Sequence, residues 1–262
     1  MQTESALRQE MLRIGHLLYE RNLLVALDGN LSVRLSENEI LCTKAGCHKG
    51  LLGDSDLVVI DMDGNLLRGE GRPTSEMAMH LACYQNRPDI RAVVHAHPPI
   101  CVAFTVAGLS LEPAILPEVV LTLGAIPTLP YRTTGTDVLA LQVGSAMALR
   151  DAVLLERHGA VCVGTGLLEA FCRLEVMEHT ARIVMHARSL GAVQTLEPKE
   201  AIALRSMGLK RYGGAPHAVA LADEPTADLP PVSTMELPQP PIAKDPLKNR
   251  LHLTHPNRTH GE

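Results

Sequence analysis

Apolar positions recur at two periods along the chain, and the switching between them lays out the fold. Leu7, Met11, Ile14 and Leu18 fall three and four apart, which predicts an amphipathic helix over about residues 4–22. Short apolar, β-branched runs follow at 31–35 and 40–43, around the polar turn Ser36-Glu37-Asn38-Glu39. Two more at 57–61 and 65–67 flank Asp63-Gly64, a hairpin signal. A helix is expected from near Glu76 to just before Pro88, with Thr74 or Ser75 as its N-cap. A buried strand at 91–94 comes next, then a helix at 99–107, a strand at 126–129 and a helix at 137–149. Strands at 152–155 and 160–163 precede a long helix at 167–190 and a shorter one at 198–207. Strand pairs and helices are mixed rather than strictly alternating. The expected fold is therefore α/β, with a central, mostly antiparallel sheet flanked by helices. From Gly213 both periods disappear, and the last fifty residues hold nine of the eighteen prolines. Residues 1–212 read as one folded domain and 213–262 as a proline-rich extended or disordered tail.

Composition narrows the function classes. Of 262 residues, 46% are hydrophobic and 20% charged, enough apolar material for a sizeable core. Aromatics make up only 2%, with no Trp, which argues against a base-stacking platform. A net charge of −5 and a pI near 6.2 argue against a binder of the nucleic-acid backbone. No segment is long and apolar enough to act as a signal peptide or to cross a membrane. The six cysteines show no CxxC pairing and mostly lie in apolar runs, so they are expected to be reduced and buried in a cytoplasmic protein.

The chemistry gathers around Val93-Val94-His95-Ala96-His97-Pro98-Pro99. Histidines at i and i+2 on a strand project from one face, so their imidazoles can converge on a metal ion. Pro98-Pro99 ends the strand at once, which puts the pair at its C-terminal end, where sites in α/β folds collect. Catalytic zinc sites use three protein ligands and an open position. The best third candidate is His158, which follows the apolar run 153–155 and precedes Gly159. His80, His179 and His186 fall on helices and read as helix-face residues. Glu76 stands at a helix start, where a carboxylate serves the dipole as a cap, while the same start, with two hydroxyls and free N–H groups, suits an anion.

Taken jointly, Asp28-Gly29-Asn30-Leu31-Ser32, Thr74-Ser75-Glu76, His95-Ala96-His97, Pro130-Tyr131 with Gly135-Thr136, and His158-Gly159 resemble the class II aldolase/adducin head family over about residues 5–190. The resemblance implies a three-layer α/β/α sandwich and a zinc-dependent enzyme, with Mn²⁺ or Co²⁺ as other divalent options. It implies a homotetramer with sites at subunit interfaces. His95, His97 and His158 would be the metal ligands. Glu76 would be the catalytic base, and in resting aldolases also a ligand. Asn30, Gly46, Thr74 and Ser75 would bind the substrate phosphate, and Tyr131 would donate a proton in a neighbouring subunit's site. Retro-aldol cleavage of a small ketose phosphate needs such parts: a Lewis acid, a base for the hydroxyl proton and an acid for the carbon left behind.

Two positions sort the subfamilies. Family epimerases carry Asp where this chain has Glu76, which favours an aldolase-type lyase. Aldolases carry Thr or Ser where this chain has Ala45, so one hydroxyl of the phosphate cradle is missing, and Lys44 or Lys49 can replace it. Alternatives are a decarboxylase or dehydratase of a sugar-acid or aromatic-acid substrate on the same site, and a non-catalytic adducin-like module. The complete His95, His97, His158, Glu76 and Tyr131 set speaks against the last.

Overall fold

The computed structural model describes residues 2–212. One sheet contains β1 (Asn30–Arg34), β2 (Ile40–Thr43), β3 (Leu57–Ile60), β4 (Leu66–Arg68), β5 (Ala92–Ala96), β6 (Thr128–Leu129), β7 (Ala152–Leu155) and β8 (Gly159–Gly164). Their order is β4-β3-β2-β1-β5-β8-β7-β6. Neighbours are antiparallel except β6 and β7. The helices are α1 (Glu4–Glu20), α2 (Met77–Asn86), α3 (Pro99–Val106), α4 (Pro117–Thr122), α5 (Asp137–Met147), α6 (Leu167–Leu190) and α7 (Pro198–Tyr212).

Strands β2, β3, β5, β7 and β8 are buried on both sides because both faces are covered. Leu31, Val33 and Val94 join Met11, Ile14 and Leu18 of α1, Phe104 of α3 and Leu174 and Met177 of α6 in one core. Val93, Val153 and Val161 point the other way, into a second core with Met79 and Tyr84 of α2 and Leu139 and Val143 of α5. The result is the expected three-layer α/β/α sandwich with a mostly antiparallel sheet. No helix among the described residues is long and apolar enough to cross a membrane. Five cysteines are buried and Cys172 is exposed, all as free thiols.

Three local expectations are corrected. Neither Thr74 nor Ser75 caps α2: the N-cap position is Glu76, whose side chain makes no capping bond. Helix α4 went unforeseen because six residues span fewer than two turns, too few to display a period. Helix α7 continues through Gly208 to Tyr212 rather than stopping at 207. A Cβ at Gly208 would press on the Leu121 backbone, with Leu121 Cα 3.2 Å away, so the glycine there permits close packing on α4 rather than ending the helix. The expected tail, 213–262, lies outside the described residues.

Register brings the candidate residues to one end of the sheet. Asn30 of β1 stands opposite His95 of β5. On the other side of β5, Ala96 stands opposite Ala160, so the turn joining β7 to β8 reaches the same end.

Candidate active site

His95 and His97 share the parity of Val93 and therefore emerge on the face that carries α2 and α5. His158 sits in the three-residue turn between β7 and β8, where Arg157 takes a left-handed φ of 58° and folds the turn back. Gly159 lets that turn close. A Cβ there would lie 2.7 Å from His97 Cδ2 and 3.1 Å from His95 Cε1. The three rings stand 4.8–5.0 Å apart between centroids, and one nitrogen from each falls within 4.8 Å of the others.

Hydrogen-bond partners assign the protons. His95 Nδ1 lies 2.9 Å from the Ala160 carbonyl oxygen, which only accepts, so Nδ1 carries the hydrogen. His97 Nδ1 lies 3.3 Å from Asp28 Oδ2, which fixes its hydrogen there in the same way. When both rings are neutral their Nε2 atoms carry the lone pairs, and the two Nε2 atoms lie 3.1 Å apart. Lone pairs at that distance repel unless a cation holds them both, so the donor set fits a metal ion. Glu76 completes the cluster, with Oε2 3.2 Å from His95 Nε2 and Oε1 3.3 Å from His158 Nε2. Asn30 Nδ2 donates to Oε2 at 2.9 Å.

Residues 9–185 match the model of the family described as Class II Aldolase and Adducin N-terminal domain. The chain belongs to this family. An L-fuculose phosphate aldolase of Methanococcus maripaludis is 37% identical over 172 residues, 66% of this chain and 92% of that one. A 3-oxo-tetronate 4-phosphate decarboxylase of Haemophilus influenzae is 35% identical over 186 residues, 69% of this chain and 88% of that one. A solved L-fuculose 1-phosphate aldolase superposes with a TM-score of 0.72 at 34% identity, covering 78% of this chain and 96% of that chain. This chain is accordingly an enzyme, a class II aldolase-type lyase of a metal-dependent family.

The class II aldolase cluster opens on a cavity of about 440 Å³. Gly46, Thr74, Ser75 and Asn30 all line it, with Glu76, His97 and His158. Asn30 is committed more deeply than a phosphate donor would need, since its side chain is buried and bonded at both ends. Tyr131 is 53% exposed and is not among the lining residues, although Thr134 and Gly135 of its loop are. Cys47, in the loop that also carries Gly46, is buried, and its thiol donates to the Lys44 carbonyl; burial pushes its pKa up, away from reactivity.

Sequence reasoning missed two partners. Asp28 was quoted only as part of a motif, yet it faces His97 Nδ1. His80 is not a helix-face residue: it is fully buried, bonded to Asn30 and Ser32. The available signal was His80 and Tyr84 one turn apart on α2, opposite the polar alternation Asn30, Ser32 on β1.

Burial resists charge throughout the cluster. It lowers His97 and His158 to about 4, with repulsion from His95 adding to it. Burial alone would raise Glu76, but a protonated His95 donating to it and the Asn30 amide outweigh burial and hold the carboxyl well below its usual range. A histidine whose folded pKa lies below its unfolded 6.5 stabilises fully above about pH 6.5, and that contribution is lost as pH falls toward about 4. The thermal midpoint of chelator-treated protein is therefore expected to fall across that window. A midpoint constant from pH 7 to pH 4 would show that these imidazoles are not held neutral.

Proposed function

We propose that the chain cleaves a small phosphorylated hydroxy-ketone by retro-aldol chemistry, with Zn²⁺ held by His95, His97 and His158. The observation that carries this is the pair of Nε2 lone pairs facing each other at 3.1 Å beside the Glu76 carboxylate, at the mouth of a polar cavity. When bound, the metal supplies Lewis-acid polarisation of the substrate's oxygens. Glu76, oriented by the Asn30 N–H, takes the proton of the hydroxyl whose loss lets the carbon–carbon bond break. The bonding electrons stay on the carbon next to the carbonyl. Tyr131 of a neighbouring subunit returns a proton to that carbon. Thr74, Ser75 and the Gly46 backbone receive the phosphate.

Lys49 supports an anionic substrate. Its ammonium is 3% exposed, donates to the carbonyls of Leu27 (2.6 Å) and Cys47 (2.9 Å), and lines the cavity. No carboxylate stands within ion-pair distance of it among the described residues. Lys44, the other candidate, is tied to Asp56 at 2.8 Å. A buried ammonium that feels Asp28 and Glu76 only from beyond ion-pair distance is incompletely compensated, so an arriving phosphate gains from it. Charged hydrogen bonds contribute about 1.5–3 kcal/mol, so Lys49→Met is expected to raise KM by roughly tenfold to a hundredfold. A KM unchanged in a stably folded variant would remove Lys49 from the substrate site.

The second reading is decarboxylation of a phosphorylated 3-oxo acid, favoured by the Haemophilus influenzae relative. A substrate panel with metal-replete protein separates the two: L-fuculose 1-phosphate and related ketose phosphates against 3-oxo-tetronate 4-phosphate, each beside its unphosphorylated form. Turnover confined to phosphorylated ketoses is expected. Turnover of none, or of the unphosphorylated forms equally well, would overturn the reading.

A homotetramer belongs to the same proposal: Tyr131 is exposed and outside the lining of its own chain's cavity, which leaves it available to a neighbour's. Mixing inactive Tyr131→Phe chains with inactive Glu76→Gln chains is expected to restore part of the activity through hybrid sites. Full activity from a monomer in light scattering would contradict it.

A further inference from the structure

Behind Glu76 a line of four buried polar side chains runs inward between β1 and α2. Asn30, Ser32, His80 and Tyr84 are each at most 3% exposed. Asn30 Nδ2 meets Glu76 Oε2 at 2.9 Å. His80 Nε2 meets Asn30 Oδ1 at 2.6 Å, His80 Nδ1 meets Ser32 Oγ at 2.7 Å, and Ser32 Oγ meets the Tyr84 hydroxyl at 2.8 Å.

Only one arrangement of protons satisfies this line. The ionised carboxylate accepts, so Asn30 turns its NH₂ toward Glu76. Its Oδ1 can only accept, so His80 carries its hydrogen on Nε2. His80 is wholly buried and stays neutral, its pKa lowered to about 3 by burial. Nδ1 must therefore accept, Ser32 Oγ–H donates to it, and the Tyr84 hydroxyl donates to Ser32. Every donor in the line points toward Glu76, and each bond polarises the next.

We propose that His80, backed by Ser32 and Tyr84, is a positioning residue that locks the Asn30 amide with its N–H toward Glu76 and so fixes the aim of the base. Reversing that amide would set Oδ1 against the carboxylate. The His80 Nε2–H is what prevents the reversal. None of the three side chains needs to touch substrate. This inference rests on Glu76 being the base.

Two measurements test it, both on the full-length, metal-replete protein. The first needs no substrate: histidine-labelled protein is examined by nitrogen NMR for the His80 ring. Hydrogen on Nε2 and a bare Nδ1 is expected, and hydrogen on Nδ1 would overturn the line. The second compares His80→Leu, His80→Gln and Tyr84→Phe, with L-fuculose 1-phosphate as probe and folding checked by thermal midpoint. His80→Leu is expected to lower kcat about tenfold to a hundredfold, as misplacing a catalytic group does, with KM within about twofold. His80→Gln, which can still donate to Asn30 Oδ1, should recover most of that loss. Tyr84→Phe, which keeps the ring in the core, should move kcat in the same direction by less. In a Glu76→Gln background His80→Leu should add little, because there is no longer a base to aim. Wild-type kcat in a folded His80→Leu variant, or equal losses in His80→Leu and His80→Gln, would refute positioning through this bond. A fully active Glu76→Gln protein would instead refute the reading on which it rests.

Discussion

Glu76→Gln is expected to fold as the native chain does, keep its metal, and lose between about a hundredfold and ten-thousandfold in kcat, the range that a general base contributes. The placement of Glu76 separates this outcome from a helix-cap effect. Although Glu76 occupies the N-cap position of α2, its side chain makes no capping bond, so no capping hydrogen bond is lost with the carboxylate. Its oxygens face His95 and His158 instead, and Asn30 holds one of them. Glutamine keeps the shape and can still accept from Asn30, but it cannot hold a proton. A thermal midpoint close to the native one, together with lost turnover, is the expected pair of readings. A lowered midpoint with turnover intact would return Glu76 to a structural role.

Removing the metal is expected to abolish turnover and lower thermal stability, and Zn²⁺ is expected to restore both. A ligand bound only by the folded state stabilises it by about 4 kcal/mol at a thousandfold excess over Kd. For a chain of this size each kcal/mol moves the midpoint by about 2–4 °C, which gives a shift on the order of 10 °C. The geometry supplies the reason. His95 and His97 are aimed by the Ala160 carbonyl and the Asp28 carboxylate so that their lone pairs face each other, an arrangement that a cation relieves. Activity and midpoint unchanged after chelation would mean that the three imidazoles serve packing alone.

Much of this was legible in the sequence because it depends on local periods. The three- and four-residue spacing of Leu7, Met11, Ile14 and Leu18 gave α1, and the doubly apolar runs at β5, β7 and β8 gave a sheet covered on both faces. The His95/His97 pair could be placed on one face from the strand's period of two. What stayed hidden depends on partners far away in the chain. The one-turn spacing of His80 and Tyr84 marks a polar stripe on α2, but helix spacing reports only which way a residue faces and not that the ring will meet Asn30, fifty positions earlier. Asp28 acquires a role only when the loop before β1 comes alongside His97. Gly208 reads locally as a stop, and only its packing on α4 explains why α7 runs through it.

The most direct measurement of the central claim is elemental analysis of full-length protein purified without chelators. One zinc ion per chain is expected, falling to near zero in His95→Ala and with it the turnover of every substrate. Native protein free of any divalent metal, with His95→Ala as active and as stable as the parent, would contradict the account.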